Sequence, residues 1–215
     1  VAVCNSMWES EKKSVDGSFI LDQLNNVKAT IKAVGDWELE VLAAPYGGHL
    51  GGKDTDGEYF SERTKFFDDK FDSPLITYYH GLDPNGLPQG DPEIIGTVKH
   101  HERRADGVWY RILLDKASSF AKRIWDAAQS GLARASSGSI SHLVRKAPDG
   151  EILSWPIGEI ALIDSEGDRQ PANQFAVAMP VMKAAYEKAG LTMPDTDNLE
   201  EPETAARGDE QRANV

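Results

Sequence analysis

A chain of 215 residues, 40% of them hydrophobic and 27% charged, can form one substantial core and has an ordinary composition for a globular protein. Its formal net charge of −12 argues against a nucleic-acid-binding protein, because such proteins usually present a basic face. A single cysteine, Cys4, excludes an internal disulfide and a zinc site built from several cysteines. No apolar run approaches the ~20 residues of a membrane span and no secretory signal is recognisable, so we expect a soluble, intracellular protein.

The beginning of the chain predicts an extension followed by a strand. Residues 1–35 are interpreted as an N-terminal extension with short helices at 18–24 and 27–34, the second ended by Gly35. Polar and apolar residues then alternate over 37–44, which predicts a strand. A glycine-rich loop follows, and residues 60–67 are typical of a short helix start.

Two buried strands and a hairpin are predicted next. Residues 75–79 form a compact run of apolar, β-branched and aromatic residues, and this run ends at His80. A strand over 94–102, a turn with Asp106-Gly107 and a returning strand over 108–115 predict a β-hairpin.

The clearest helix covers residues 117–128, where apolar residues recur at helical spacing, and Gly131 stands where a C-terminal cap is expected. A serine-rich strand follows directly. Further strands are predicted over 151–155, 156–163 and 175–179, and a closing helix over 181–190. Between 194 and 215, seven acidic residues against two arginines and few aliphatic residues predict a disordered tail.

Serines occupy four of the six positions 136–141, at the start of an otherwise core-forming strand. Serine has a low strand preference and loses hydration when it is buried. One interpretation is a tight bend or close packing of small residues. The other is a nucleophilic serine presented on a strand, which requires a base and a carboxylate from elsewhere in the chain.

Two residues could supply those groups. A neutral imidazole at His80, at the end of a buried strand, can accept the proton of a serine hydroxyl. A carboxylate at Glu159, on a later strand, can orient that imidazole and stabilise its protonated form. Each also has a structural interpretation, since His80 could be a turn residue and Glu159 a solvated edge residue.

A metal-dependent hydrolase is the competing enzyme class, with His80, Asp83, His100 and His101 as its ligands. Adjacent residues on a strand point to opposite faces, so His100 and His101 cannot both bind one metal without a bend. We therefore expect neither a metal nor a cofactor.

Four motifs, in the same chain order, resemble those of the tailed-phage prohead (capsid maturation) proteases. Residues 78–84 (Tyr-Tyr-His-Gly-Leu-Asp-Pro) resemble the family's strand followed by N-H-D-P, and 95–98 (Ile-Gly-Thr-Val) its I-G-x-V strand. Residues 135–138 (Ala-Ser-Ser-Gly) are similar to its L-S-x-G-F segment. Residues 159–163 and 171–173 resemble its E-V-S-L-V and P-A-N signature.

The resemblance spans about residues 37–178 and implies an α+β, mainly β fold related to herpesvirus assemblin. We expect a closed or partly open antiparallel β-barrel with a few flanking helices. The implied organisation is an N-terminal extension (1–35), a protease domain (36–192) and an acidic disordered tail or linker (193–215). The implied partners are capsid and scaffold precursors, with self-association and self-cleavage as further expectations, and neither nucleic acid nor membrane. The expected location is the host cytoplasm, inside the assembling prohead.

The resemblance also implies a serine endopeptidase with a Ser-His-acid triad. His80 would be its general base and Glu159 the carboxylate that orients it, with Asp164 as the alternative acid. Backbone amides after the serine, helped by Arg134 or Arg145, are candidates for the oxyanion hole. The alternative to an enzyme is a catalytically inactive, capsid-associated structural or interaction domain.

Two serines compete for the role of nucleophile. Matching S-x-G selects Ser136, with Gly138 as the glycine, whereas counting from Gly131 selects Ser137. Side chains of neighbouring residues on an extended strand point to opposite faces, so only one can meet His80. We expect Ser136 to be the nucleophile and keep Ser137 as the alternative.

Overall fold

The computed structural model describes residues 31–47, 57–81, 92–164, 176–177, 179–197 and 199. The described strands, in chain order, are β1 (Ile31–Gly35), β2 (Glu38–Pro45), β3 (Leu75–Tyr78), β4 (Ile94–Arg104), β5 (Gly107–Leu114), β6 (Arg134–Ile140), β7 (Arg145–Lys146), β8 (Ile152–Ser154), β9 (Glu159–Ile163) and β10 (Ala176–Val177). The described helices are α1 (Ser119–Gln129) and α2 (Met179–Lys188), with short 3₁₀ turns at Tyr79–Gly81 and Ser141–Leu143.

Eight strands form one sheet in the order β1-β2-β5-β4-β3-β9-β6-β10, and β7 pairs with β8 separately. The large sheet is curled into an open half-barrel, which confirms the α+β, mainly β class. The expectation of an antiparallel barrel is corrected at two places, because β3 pairs with β9 and β6 with β10 in parallel. Since β3 and β9 are separated by about half of the described chain, no hairpin imposes antiparallel pairing on them.

The main core contains large aromatic side chains. Phe60, Phe66, Tyr110 and Trp155 are almost completely buried there, among aliphatic residues of β2, β5 and β9. Helix α1 adds Ala121, Ile124 and Ala128, which lie on one face as the apolar spacing predicts. Ser118 caps the start of the helix, because its Oγ accepts a hydrogen bond from the Ala121 amide, and Gly131 follows the helix with φ of 70°.

A second apolar cluster forms where α2 packs against the sheet. Met182, Ala185 and Tyr186 of the helix are buried there together with Phe71, Leu75 and Ile140. The Tyr186 hydroxyl donates to the Gly158 carbonyl at 2.9 Å. Met193 and Leu199 pack on the same cluster, so apolar contacts extend beyond the expected end of the domain at residue 192.

Two predicted helices are wrong. Residues 31–34 of the predicted helix 27–34 belong to β1, in which Ile31 is buried and pairs with Val41 of β2. Residues 18–30 lie outside the described part. The pairing places β1 in the domain that was expected to start at 36. Residues 60–67 are not helical either, because Phe60 and Lys65 form isolated bridges to Tyr46 and Ser154.

Candidate active site

The site begins where β3 ends in a left-handed turn. Tyr79 and His80 have φ of 49° and 56°, a region that residues other than glycine rarely adopt. An extended continuation of β3 would carry His80 about 10 Å beyond Thr77 and turn it to the opposite face of the sheet. The turn instead brings the imidazole back over the face of β3 and β9 that carries the Thr77 side chain.

The imidazole of His80 contacts a buried carboxylate on the neighbouring strand. His80 Nδ1 lies 2.9 Å from Glu159 Oε2, and the two side chains are 5% and 4% exposed. Thr77 Oγ1 donates to the other oxygen, Glu159 Oε1, at 2.5 Å. Both carboxylate oxygens therefore have a hydrogen-bonding partner, as a buried charge requires.

Gly138 of β6 lies directly opposite Glu159 of β9. A Cβ added at this glycine would lie only 2.6 Å from Glu159 Oε2. The glycine thus leaves the space that the carboxylate occupies, which is why the strand tolerates a residue that weakens strands.

Ser136 and Ser137 point in opposite directions on β6. Ser136 is two residues before Gly138, so its side chain lies on the face that Glu159 occupies. Ser137 faces the main core, where its Oγ accepts a hydrogen bond from the Trp155 indole at 3.2 Å. The structure therefore brings Ser136, and not Ser137, to the face of the histidine–carboxylate pair.

Asp164, the alternative acid, is buried among other groups. Its Oδ1 accepts from the Tyr79 hydroxyl at 2.9 Å, and its Oδ2 from Tyr78 at 3.1 Å. The Arg123 guanidinium lies 2.9 Å from the same Oδ2. Glu159, rather than Asp164, is thus the carboxylate in contact with His80.

The two arginines considered for the oxyanion hole donate to nearby carbonyls. Arg134 Nη1 donates to the carbonyls of Gly131 and Ala133. Arg145 Nη1 donates to the carbonyls of His142 and Val144. Both guanidinium groups thus contribute to local backbone structure, which leaves the backbone amides after Ser136 as the stronger oxyanion-hole candidates.

The hydrogen bond to Glu159 determines what the imidazole can do. Facing a carboxylate, Nδ1 of neutral His80 is the donor, so Nε2 carries the lone pair that can accept a proton. A carboxylate in this position also stabilises the imidazolium that would form.

Nearby, burial and then the charge of Glu159 raise the pKa of the Tyr186 hydroxyl, which therefore stays protonated as the donor to Gly158.

The metal-site hypothesis receives no support from the described residues. None of their histidines, cysteines, aspartates and glutamates form a group of three or more suited to a metal. His100 and His101 lie on β4, paired with Arg111 and Tyr110. Asp83 lies outside the described part, as do residues 171–173 of the resemblance.

Sequence reasoning missed Thr77, which contacts the carboxylate on the side away from His80. Its signal was present in the chain, because a single threonine interrupts the apolar and aromatic run that precedes His80. A buried hydroxyl needs a partner, and a buried carboxylate supplies one. The group that approaches Gly138 most closely is likewise the side chain of Glu159.

Comparison of the chain with protein-family models, curated proteins and solved structures finds no match. In the described part of the chain, neither helix is long and apolar enough to cross a membrane. The function is therefore inferred from the chemistry of His80, Glu159 and Ser136.

Proposed function

We propose that the chain is a serine endopeptidase in which Ser136 is the nucleophile, His80 the general base and Glu159 the carboxylate that orients it. The observation that carries the proposal is the buried hydrogen bond between His80 Nδ1 and Glu159 Oε2, on the sheet face that carries Ser136. A serine nucleophile requires a base that a carboxylate orients, and this pair would supply both groups.

Burial of the pair supports a functional role. Removing a carboxylate from water costs several kcal/mol, and a buried ion pair is often no more stable than apolar residues of the same volume. The fold also holds a left-handed backbone at His80 and a glycine inside β6 to accommodate the pair. These features weaken a packed core and are expected where a reactive geometry has to be held.

In the proposed reaction, Ser136 Oγ attacks the carbonyl carbon of a peptide bond while Nε2 of His80 takes the hydroxyl proton. The C–N bond then breaks, and the imidazolium gives that proton to the leaving amine. Water, deprotonated by the same imidazole, attacks the acyl ester and releases the new carboxyl terminus and free Ser136. Glu159 keeps its hydrogen bond to Nδ1 and stabilises the imidazolium.

The motif resemblance supplies the proposed substrate class. Capsid or scaffold precursor, and the chain itself, are the expected substrates during prohead maturation inside the host cell. The strongly acidic segment after residue 193 is the proposed junction for self-cleavage, because a segment with few apolar side chains is expected to be accessible to a protease.

The test is co-expression with the precursor and measurement of cleavage by intact mass. We expect His80→Ala and Ser136→Ala to reduce cleavage roughly 10⁴-fold or more. Ser137→Ala is the matched control, since it makes the same change one residue away, on the face of Trp155. Gly138 still fixes the register of β6 in this variant, so cleavage should stay intact.

A serine-directed phosphonate gives an independent measurement. It should label the wild-type chain and the Ser137→Ala variant, and the adduct should map to Ser136. Cleavage and labelling that survive Ser136→Ala would overturn the assignment. A wild-type chain that neither cleaves nor reacts would favour the inactive capsid-associated domain.

A further inference from the structure

A second buried carboxylate, Asp164, lies at the opposite end of β9 from Glu159. It directly follows Ile163 and is 5% exposed. Three groups approach its two oxygens: the hydroxyls of Tyr78 and Tyr79 and the guanidinium of Arg123. The proposed reaction uses none of them.

The Tyr79 hydroxyl is the most strongly anchored of these groups. It donates to Asp164 Oδ1 at 2.9 Å and also to the backbone carbonyl of Asp164. Burial, and then the hydrogen bond to Asp164, raise the pKa of Tyr79 above its ordinary value, so the hydroxyl remains a donor at neutral pH. Arg123 balances the charge of the carboxylate and belongs to α1, which ties the cluster to the helix.

Tyr79 is also the first residue of the left-handed turn that positions His80. A non-glycine residue in this conformation is strained and persists only when surrounding contacts hold it. Two consecutive residues do so here. The Tyr79 hydroxyl, hydrogen-bonded to Asp164 at the end of β9, is one such contact.

We propose that Tyr79 and Asp164 are positioning residues that hold the left-handed turn and thereby keep the His80 imidazole against Glu159. The turn would then be attached to both ends of β9. His80 contacts Glu159, the first residue of β9, and Tyr79 contacts Asp164, which follows its last residue. The expected effect on catalysis rests on the proposed function, whereas the expected effect on the position of the His80 imidazole does not.

The test compares Tyr79→Phe with Tyr78→Phe. Each variant removes one hydroxyl from the same carboxylate and keeps the ring, but only Tyr79 belongs to the turn. With precursor as substrate, we expect Tyr79→Phe to lower kcat about 10- to 100-fold with little change in KM, because a small displacement of a general base has an effect of this size. Tyr78→Phe should retain kcat within roughly three-fold.

A spectroscopic measurement separates positioning from activity. The resonance of the His80 Nδ1 proton, assigned by its absence in His80→Ala, reports the bond to Glu159 directly. We expect it to shift or disappear in Tyr79→Phe and to be retained in Tyr78→Phe. Asp164→Asn removes the charge but keeps an acceptor oxygen and the backbone carbonyl, so it should shift the resonance less than Tyr79→Phe does. It serves if Tyr79→Phe does not fold.

The outcomes are distinguishable. A resonance and a kcat that are both unchanged in Tyr79→Phe and Asp164→Asn would overturn the positioning role while leaving the protease intact. The resonance could also shift or disappear only in those two variants while the wild type does not cleave the precursor. That result would establish the positioning role and overturn the protease.

Discussion

Adding one methyl group at Gly138 tests whether this glycine keeps the carboxylate of Glu159 in place. The new Cβ would lie 2.6 Å from Glu159 Oε2 and 3.2 Å from its Cβ. To reach an ordinary contact of 3.4 Å, the oxygen must move by about 0.8 Å. Moving away from β6 would disturb the hydrogen bond to His80, which is now 2.9 Å long.

The carboxylate cannot make this movement without a loss of stability. Its oxygens are held by Thr77 and His80, and its side chain is almost completely buried. Losing one hydrogen bond to a charged group costs about 1.5–3 kcal/mol. Alanine restricts the unfolded chain and returns about 0.4–1 kcal/mol. We therefore expect Gly138→Ala to lower the free energy of unfolding by about 1–2 kcal/mol.

Activity should fall further than stability. Displacing the group that orients a general base by nearly 1 Å has an effect of roughly 100-fold on the rate. The measurements are the free energy of unfolding in urea and kcat/KM for precursor cleavage. Gly35→Ala is the control, because its Cβ would be 3.4 Å or more from its neighbours. Wild-type stability and activity in Gly138→Ala would refute the role given to this glycine.

Two further predictions concern other hydrogen bonds of the sheet. Thr77→Val keeps the shape of the side chain but removes the donor to Glu159 Oε1, so we expect unfolding to be easier by about 1–3 kcal/mol and kcat to fall about ten-fold. Urea unfolding and steady-state kinetics check this, and a variant as stable and active as the wild type would contradict it. The hydrogen bond from Arg103 holds the pKa of Asp68 below its ordinary value. The pair therefore stabilises the fold when the pH is above the unfolded pKa of about 3.9. This contribution is lost as the pH falls through the lower pKa of the folded state. Asp68→Asn should therefore cost up to about 1 kcal/mol at pH 7 and progressively less as the pH falls below about 4, and a pH-independent difference between the two unfolding curves would contradict this.

Local sequence patterns were sufficient to predict those elements whose pattern depends on their own residues alone. The apolar spacing of α1 and the turn between β4 and β5 were readable from the chain and are confirmed. Such patterns were insufficient at β1, because Val27, Ile31 and Val34 also have the spacing of a helical face. The residues form a strand because they pair with β2, and a local sequence pattern contains no information about this partner.

The arrangement of the strands needed information that no segment of the sequence contains. β3 joins β9 in parallel although three other strands of the sheet, β4, β5 and β6, lie between them in the chain. This pairing places Leu75 beside Glu159 and allows Thr77 and His80 to reach one carboxylate. Polar residues in apolar strands indicated the candidates, but only the sheet order brings them together.

The choice between Ser136 and Ser137 depends on the register of a single pair of strands. A slip of one residue between β6 and β9 would turn the opposite set of β6 side chains toward Glu159. Two contacts oppose such a slip. Only Gly138 leaves room for the carboxylate, and Trp155 needs the Ser137 hydroxyl as the acceptor for its buried indole. The residue that the motif resemblance marked as the glycine of S-x-G thus sets the register, and the register places Ser136 on the side of the imidazole.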